Sequence, residues 1–228
     1  MTFDQIFTAY YSLFRADSDV PTSSDDEYTV GMRLANEAVN YWSRYEGTYW
    51  KELFTTNQTD GSGAQTVVTN QTTYTAPTNF LEAGGFVRIL NSTGNEQARY
   101  PIVEPEQVQF RDTNSTFCYF TGDGNDTTYT LHLNPAPSSS LNGMDIEYAY
   151  YKVPTEFSIG ASKTEMSNPY FIVHRMLAQQ FRAARNPYYT SALKDSENTI
   201  RIMQLSNNSG TWANPWAQSD NSGDQWGS

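Results

Sequence analysis

From Thr2 to Arg15 the apolar residues recur at helical intervals, with Phe3, Ile6, Phe7, Tyr10 and Phe14 on one stripe. Thr2 and Gln5 stand at capping-box spacing ahead of that stripe, which predicts a helix start. The stretch "SDVPTS" interrupts the pattern. A second stripe then runs through Tyr28, Met32, Ala35, Val39, Trp42, Tyr45, Tyr49 and Leu53. Ser24 and Glu27 repeat the capping-box spacing, and Asp25 and Asp26 put negative charge in the first turn, where the helix dipole favours it. One long helix is predicted, closed by "TTNQTDGSG", a loop by composition.

Between residues 62 and 160 the period changes from 3.6 to 2. "QTVVTN", "GFVRIL", "ARYPIVE", "VQFRD", "STFCYF", "TYTLHL" and "MDIEYAYYKV" are short, rich in β-branched and aromatic residues, and separated by turn residues. In the last, Met144, Ile146, Tyr148 and Tyr150 alternate with Asp145, Glu147 and Ala149. Strands at this spacing predict a small sandwich or barrel. The helical period returns in "SNPYFIVHRMLAQQFRAAR", with Asn168 as the N-cap and Pro169 at the first helical position. "RNPYYTSALKDSENTIRIMQLSN" repeats the device with Asn186 and Pro187, so two helices joined by a short turn are predicted to pack as an antiparallel hairpin.

Both helical pairs are amphipathic and each lacks a partner of its own, so one bundle built from both ends is the economical solution. The expected fold class is α+β. An antiparallel helical bundle is formed by the N- and C-terminal segments, 1–61 and 161–206. An all-β domain, sandwich or barrel, is inserted at 62–160, and an extended C-terminal tail occupies 207–228.

Charge narrows the function. Twenty-five acids against 14 Lys and Arg give a net charge of −11 over 228 residues, which disfavours non-specific nucleic-acid binding by the whole surface. An acidic wall beside DNA remains compatible, because repulsion prevents sticking. Cys118 is the only cysteine, so no intrachain disulfide can form. Asn-x-Ser/Thr sequons occur at Asn57, Asn70, Asn91, Asn114, Asn125 and Asn207. The opening "MTFDQIFTAYYSLFRADSD" lacks a basic start, a long apolar run and a small-residue cleavage site. The sequons therefore read as a by-product of Asn- and Thr-rich composition, and a product assembled inside a cell is expected. No stretch approaches the ~18 apolar residues of a membrane span.

Candidate chemistry is sparse. His132 lies in "TLHL", and His174 shares a helical face with Tyr170, Leu177 and Phe181. Neither belongs to a cluster with metal-ligand spacing, and an acid–base site needs a positioned partner. Cys118 alternates with Phe117 and Tyr119, as a buried structural thiol would. "TGDGNDTT" groups Asp123, Asn125 and Asp126, but without the ligand series of a calcium loop it reads as a hairpin turn. No phosphate loop, nucleophile elbow or dinucleotide fingerprint occurs. No catalytic, cofactor or metal residue is assigned, no cofactor is expected, and the protein is read as a non-enzyme.

The charge is unevenly placed. Residues 1–61 and 62–160 each hold ten acids and four bases, whereas 161–228 hold five acids and six bases. Arg175, Arg182 and Arg185 fall in a stretch with no acid between Ser167 and Lys194, roughly on one helical stripe. They are a solvated face, bridges to the acidic second helix, or an inter-subunit contact, since the guanidinium fork pairs bidentately with carboxylates. Direct DNA contact comes after these, given the overall charge. The tail "TWANPWAQSDNSGDQWGS" sets Trp212, Trp216 and Trp226 on a polar spacer. Spaced tryptophans of this kind suit a segment that orders on binding a partner.

The order of these features resembles the head-to-tail adaptor proteins of tailed bacteriophages, especially the tail-tubular adaptors of short-tailed phages. The resemblance spans about residues 2–206. It runs through "YTAPTNFLEAGGFVRI", "LHLNPAPSSSLNGMDIEYAYYKVP", "NPYFIVHRMLAQQFRAARNP" and "YYTSALKDSENTIRIM". It implies a structural virion protein at the portal vertex, assembled in the host cytoplasm as a dodecameric ring. Such a ring extends the channel through which double-stranded DNA passes without specific binding. The implied partners are other copies of the chain, the portal protein and the next tail component, a nozzle or tail tube, with no membrane. In such adaptors the bundle faces the portal or channel, the β domain projects outward or towards the tail, and the C-terminal segment docks on the portal. Trp212, Trp216 and Trp226 are then the docking residues. The alternative is a carbohydrate- or receptor-binding β-domain protein of a virion, with the Tyr-rich strands stacking on sugar.

Overall fold

A computed structural model describes residues 1–15, 19–59, 64–122 and 128–208. They fall into two compact units, one made of 1–53 with 154–208 and the other of 54–153. Helices and antiparallel sheets are both present, and no sheet closes into a barrel among the described residues.

In the first unit, α1 (Phe3–Arg15) opens with a reciprocal cap. The Thr2 N–H donates to Gln5 Oε1 at 3.0 Å, and the Gln5 N–H donates to Thr2 Oγ1 at 3.3 Å. α2 (Asp26–Ser43) starts differently from the Ser24–Glu27 expectation. Asp25 is its N-cap residue and makes no side-chain cap bond; its carboxylate instead accepts from the Thr22 N–H at 2.7 Å. Helix two is also shorter than its stripe predicts. Past Ser43 the chain turns through Glu46 and Gly47, both at positive φ (47° and 65°), which stops helical propagation. Trp50 then returns to Trp42, donating its indole N–H to the Trp42 carbonyl at 2.7 Å. Tertiary packing of two fully buried indoles outweighs the periodicity.

α3 (Tyr170–Ala183) and α4 (Tyr189–Asn208) begin one and two residues past the expected starts at Pro169 and Pro187, and the N-cap of α3 is Pro169 rather than Asn168. Asn168 Oδ1 accepts from the Tyr170 N–H at 3.2 Å, and Asn186 Oδ1 from the Tyr188 N–H at 2.9 Å. α3 packs against α1, α2 and α4, which explains its broad buried face of Phe171, Ile172, Val173, Met176, Leu177 and Ala178. Asn36 ties the returning chain to α2 by bonding both backbone groups of Phe157, at 2.8 and 3.0 Å. α4 runs two residues past the expected start of the tail, and the reason is Asn207. That side chain is buried, accepts from the Lys51 N–H at 3.0 Å and donates to the Tyr49 carbonyl at 2.8 Å.

Among its described residues the second unit holds ten short strands, all paired antiparallel. β1 (Phe54–Thr56), β4 (Phe80–Ala83) and β10 (Ala149–Lys152) form one sheet in the order β1-β10-β4. β2 (Gln65–Thr66), β5 (Phe86–Leu90), β6 (Glu96–Pro101) and β9 (Asp145–Glu147) form the order β2-β9-β5-β6. β3 (Thr73–Thr75), β7 (Phe117–Gly122) and β8 (Tyr129–Asn134) form β3-β8-β7. Val87, Ile89, Cys118, Leu131, Ile146 and Tyr150 join one core cluster drawn from all three sheets.

"VQFRD" is not a strand. Pro105 leads a 3-10 helix over Pro105–Phe110, since proline pre-sets the turn and offers no ladder donor. The long final strand is two, β9 and β10 in different sheets. The break falls at Tyr148, whose N–H donates to Asn57 Oδ1 at 2.9 Å in place of a ladder partner. Asn57 is fully buried and its amide also donates to the Ile146 carbonyl at 2.8 Å. Two of the six sequon asparagines, 57 and 207, thus hold the fold with the amide a glycan would occupy.

Candidate interaction surfaces

The three arginines of interest do not share one helical stripe. Arg175 is half-buried, with its guanidinium carbon 4.0 Å from the centroid of the Tyr41 ring on α2. This cation–π contact holds Arg175 to α2 through a ring rather than a carboxylate. Arg182 is exposed in the last turn of α3. Arg185 lies two residues beyond the helix at φ 52°, so the stripe ends before it. None of the three forms an ion pair with a described residue. Two of the three acids of α2 have other partners: Glu27 holds Arg15 at 2.8 Å, and Glu37 pairs with Arg33 and accepts from Gln179 at 3.0 Å.

Next to Arg182 and Arg185, Tyr188 is 68% exposed at the α3–α4 turn, its ring 6.4 Å from that of Phe181. Sequence reasoning passed over Tyr188 because an Asn-Pro-Tyr-Tyr run reads simply as a helix start. It also passed over a cavity of about 170 Å³ lined by Phe7, Tyr10, Tyr11, Phe14, Val30 and Gly31, with Arg15, Asp26, Glu27 and Gln180 around it. The available signals were Tyr11, which widens the α1 stripe, and a glycine inside the α2 pattern. A Cβ at Gly31 would stand 2.3 Å from the Phe7 ring, so the close approach of the two helices requires glycine. Burial foremost, and then nearby Glu27, pushes the Tyr10 hydroxyl up to about 12.

In the second unit, His132 stacks on Tyr119 at 4.6 Å and its Nε2 lies 2.8 Å from Thr121 Oγ1. Burial lowers its pKa. A ring packed flat on tyrosine and bonded to a hydroxyl is a sheet residue with a satisfied polar end. Cys118 is fully buried, its Sγ 3.3 Å from the Tyr100 carbonyl, and burial pushes the thiol up to about 12. A thiolate nucleophile is suppressed there. Phe110 is 82% exposed at the end of the Pro105 turn, a bare aromatic on this unit. Trp212, Trp216 and Trp226, and the acidic turn at Asp123, Asn125 and Asp126, lie outside the described residues.

Among the described residues no group of three or more His, Cys, Asp or Glu is placed to hold a metal, and no helix is long and apolar enough to cross a membrane. What the molecule presents is contact surface: exposed arginines and aromatics, and a charged-rimmed aromatic cavity. The described residues thus present a helical unit and an antiparallel β unit, each with exposed contact surface. The family model for the SU10 adaptor protein matches residues 1–219, and the chain belongs to that family. No curated protein matches it. Membership implies a structural component of the phage head–tail junction, associated with portal and tail components.

Proposed function

We propose that this chain is the repeating, non-enzymatic subunit of a dodecameric ring that joins the capsid portal to the tail and lengthens the channel for DNA. The match to an adaptor family over residues 1–219 carries this reading. The charge of −11 per subunit supports it: a ring of such subunits is strongly acidic as a whole, and net repulsion of phosphate leaves the duplex free to slide. The helices form an antiparallel bundle in the ring. Trp212, Trp216 and Trp226 anchor the tail on the portal, as tryptophans anchor many interfaces.

Electron microscopy of the protein alone, with portal, and in virions tests the assembly. Rings, formed alone or on portal, are expected at the vertex. A protein that stays monomeric and never joins a portal complex overturns the reading.

A further inference from the structure

The cavity between α1 and α2 has a specific chemical character. Its floor is aromatic, from Phe7, Tyr10, Tyr11 and Phe14, and its volume is about 170 Å³. Cavities of about 150 Å³ admit a benzene ring. Its charged lining is net acidic, with Asp26 and Glu27 against Arg15. Glu27 is already engaged by Arg15 at 2.8 Å, while Asp26 forms no ion pair with a described residue. The matching ligand carries one aromatic ring with a cation close behind it.

The chain itself displays such a group at the α3–α4 turn. Tyr188 is the most exposed aromatic among the described residues of its unit, at 68%. Arg182 and Arg185 precede it by six and three residues, form no ion pair with a described residue, and lie in a stretch that holds no acid from 168 to 193. The turn is also rigidly presented: Asn186 accepts from the Tyr188 N–H, and the ring leans on Phe181. Tyr188 is not among the residues lining its own copy's cavity.

We propose that this cavity is the socket for the α3–α4 turn of a second copy, with Tyr188 as the inserted ring and Arg185 meeting Asp26. The inference rests on the ring reading above, because two different patches that meet head to tail generate a ring when the rotation closes. The buried ring supplies the affinity, while the exposed charge pair sets register and encounter rate.

The test places the photo-crosslinker p-benzoylphenylalanine at position 188 of the full chain, mixes isotopically light and heavy subunits, and irradiates them alone and with portal. Mixed-label crosslinks landing within residues 7–31 are expected. In parallel, Tyr188→Ser and Asp26→Arg each weaken association about tenfold or more, the scale of losing an interface anchor. Adding Arg185→Asp to Asp26→Arg restores it, and aspartate tolerates the left-handed backbone there. Thermal melting of the unassembled Tyr188→Ser variant stays unchanged, and Asp26→Arg lowers the midpoint by only about 2–4 °C, the cost of reversing charge in the first turn of α2. Rings whose crosslinks land elsewhere, or a charge reversal without rescue, overturn the socket and leave the ring standing. A crosslinked dimer that never grows supports the socket and overturns the ring. Absence of any assembly, alone or on portal, overturns both.

Discussion

At the scale of single residues, the molecule's demands are steric and electrostatic. Gly31 sits where an added methyl meets the Phe7 ring at 2.3 Å, and that ring is itself buried. Gly31→Ala gains about 1 kcal/mol of helix propensity, but overpacking costs about 1–3 kcal/mol. A net loss of stability is expected in urea unfolding; a raised midpoint would mean that Phe7 has room to swing away. Cys118 is buried with its thiol pushed up to about 12, so a thiol reagent should leave the native protein unmodified and label it fully once denatured. Appreciable native labelling would show that the β core opens. Tyr10 has an alkaline signature. Its folded pKa is raised from 10.0 to about 12, so the folded chain favours the neutral phenol. The associated stability is whole below 10 and is lost as pH rises from 10 towards 12. Tyr10→Phe should flatten the alkaline decline seen in denaturant midpoints. An unchanged slope would assign the decline to other groups.

At the scale of elements, the end of α4 shows where helix gives way to tail. The amide of Asn207 clamps Tyr49 and Lys51, so a truncation after Leu205 removes a structural bond together with any docking segment. Asn207→Ala leaves a carbonyl and an N–H without that partner and should cost about 1–3 kcal/mol. Hydrogen exchange should show faster opening of the last α4 turn, and unchanged protection would mean the clamp is dispensable. Truncation after Asn208 is the clean cut. It should melt like the full chain yet fail to incorporate into portal complexes, and normal incorporation would remove the docking role of the three tryptophans. Starts were legible in these elements more often than ends. The Thr2–Gln5 box and the Asn168 and Asn186 side-chain bonds are local hydrogen bonds between neighbours in sequence. The end of α2 depends on Trp50 reaching back to Trp42, which periodicity does not encode.

At the scale of the whole molecule, charge is the property that reaches beyond the chain. A protein at −11 should leave duplex DNA unshifted in a gel assay even at low salt, where phosphate contacts are strongest. Salt-sensitive binding would argue against an inert channel wall. Exposed Phe110 and Tyr188 stand on different units.

The sequence by itself determined the helical and β regions, the Thr2–Gln5 cap, the acidity and the adaptor resemblance, because each depends on composition or on residues a few positions apart. Tertiary structure decided the rest. The strand over Met144 to Val153 splits because buried Asn57 takes the Tyr148 N–H. The strands at Phe54, Thr73 and Phe80 exist because distant partners complete them; β1 pairs with β10 across nearly a hundred residues. The arginine stripe breaks because α3 stops at Ala183, and the aromatic socket exists because Gly31 lets α2 approach Phe7. Contacts between residues far apart in the chain leave no periodic trace, so only the folded molecule reveals them.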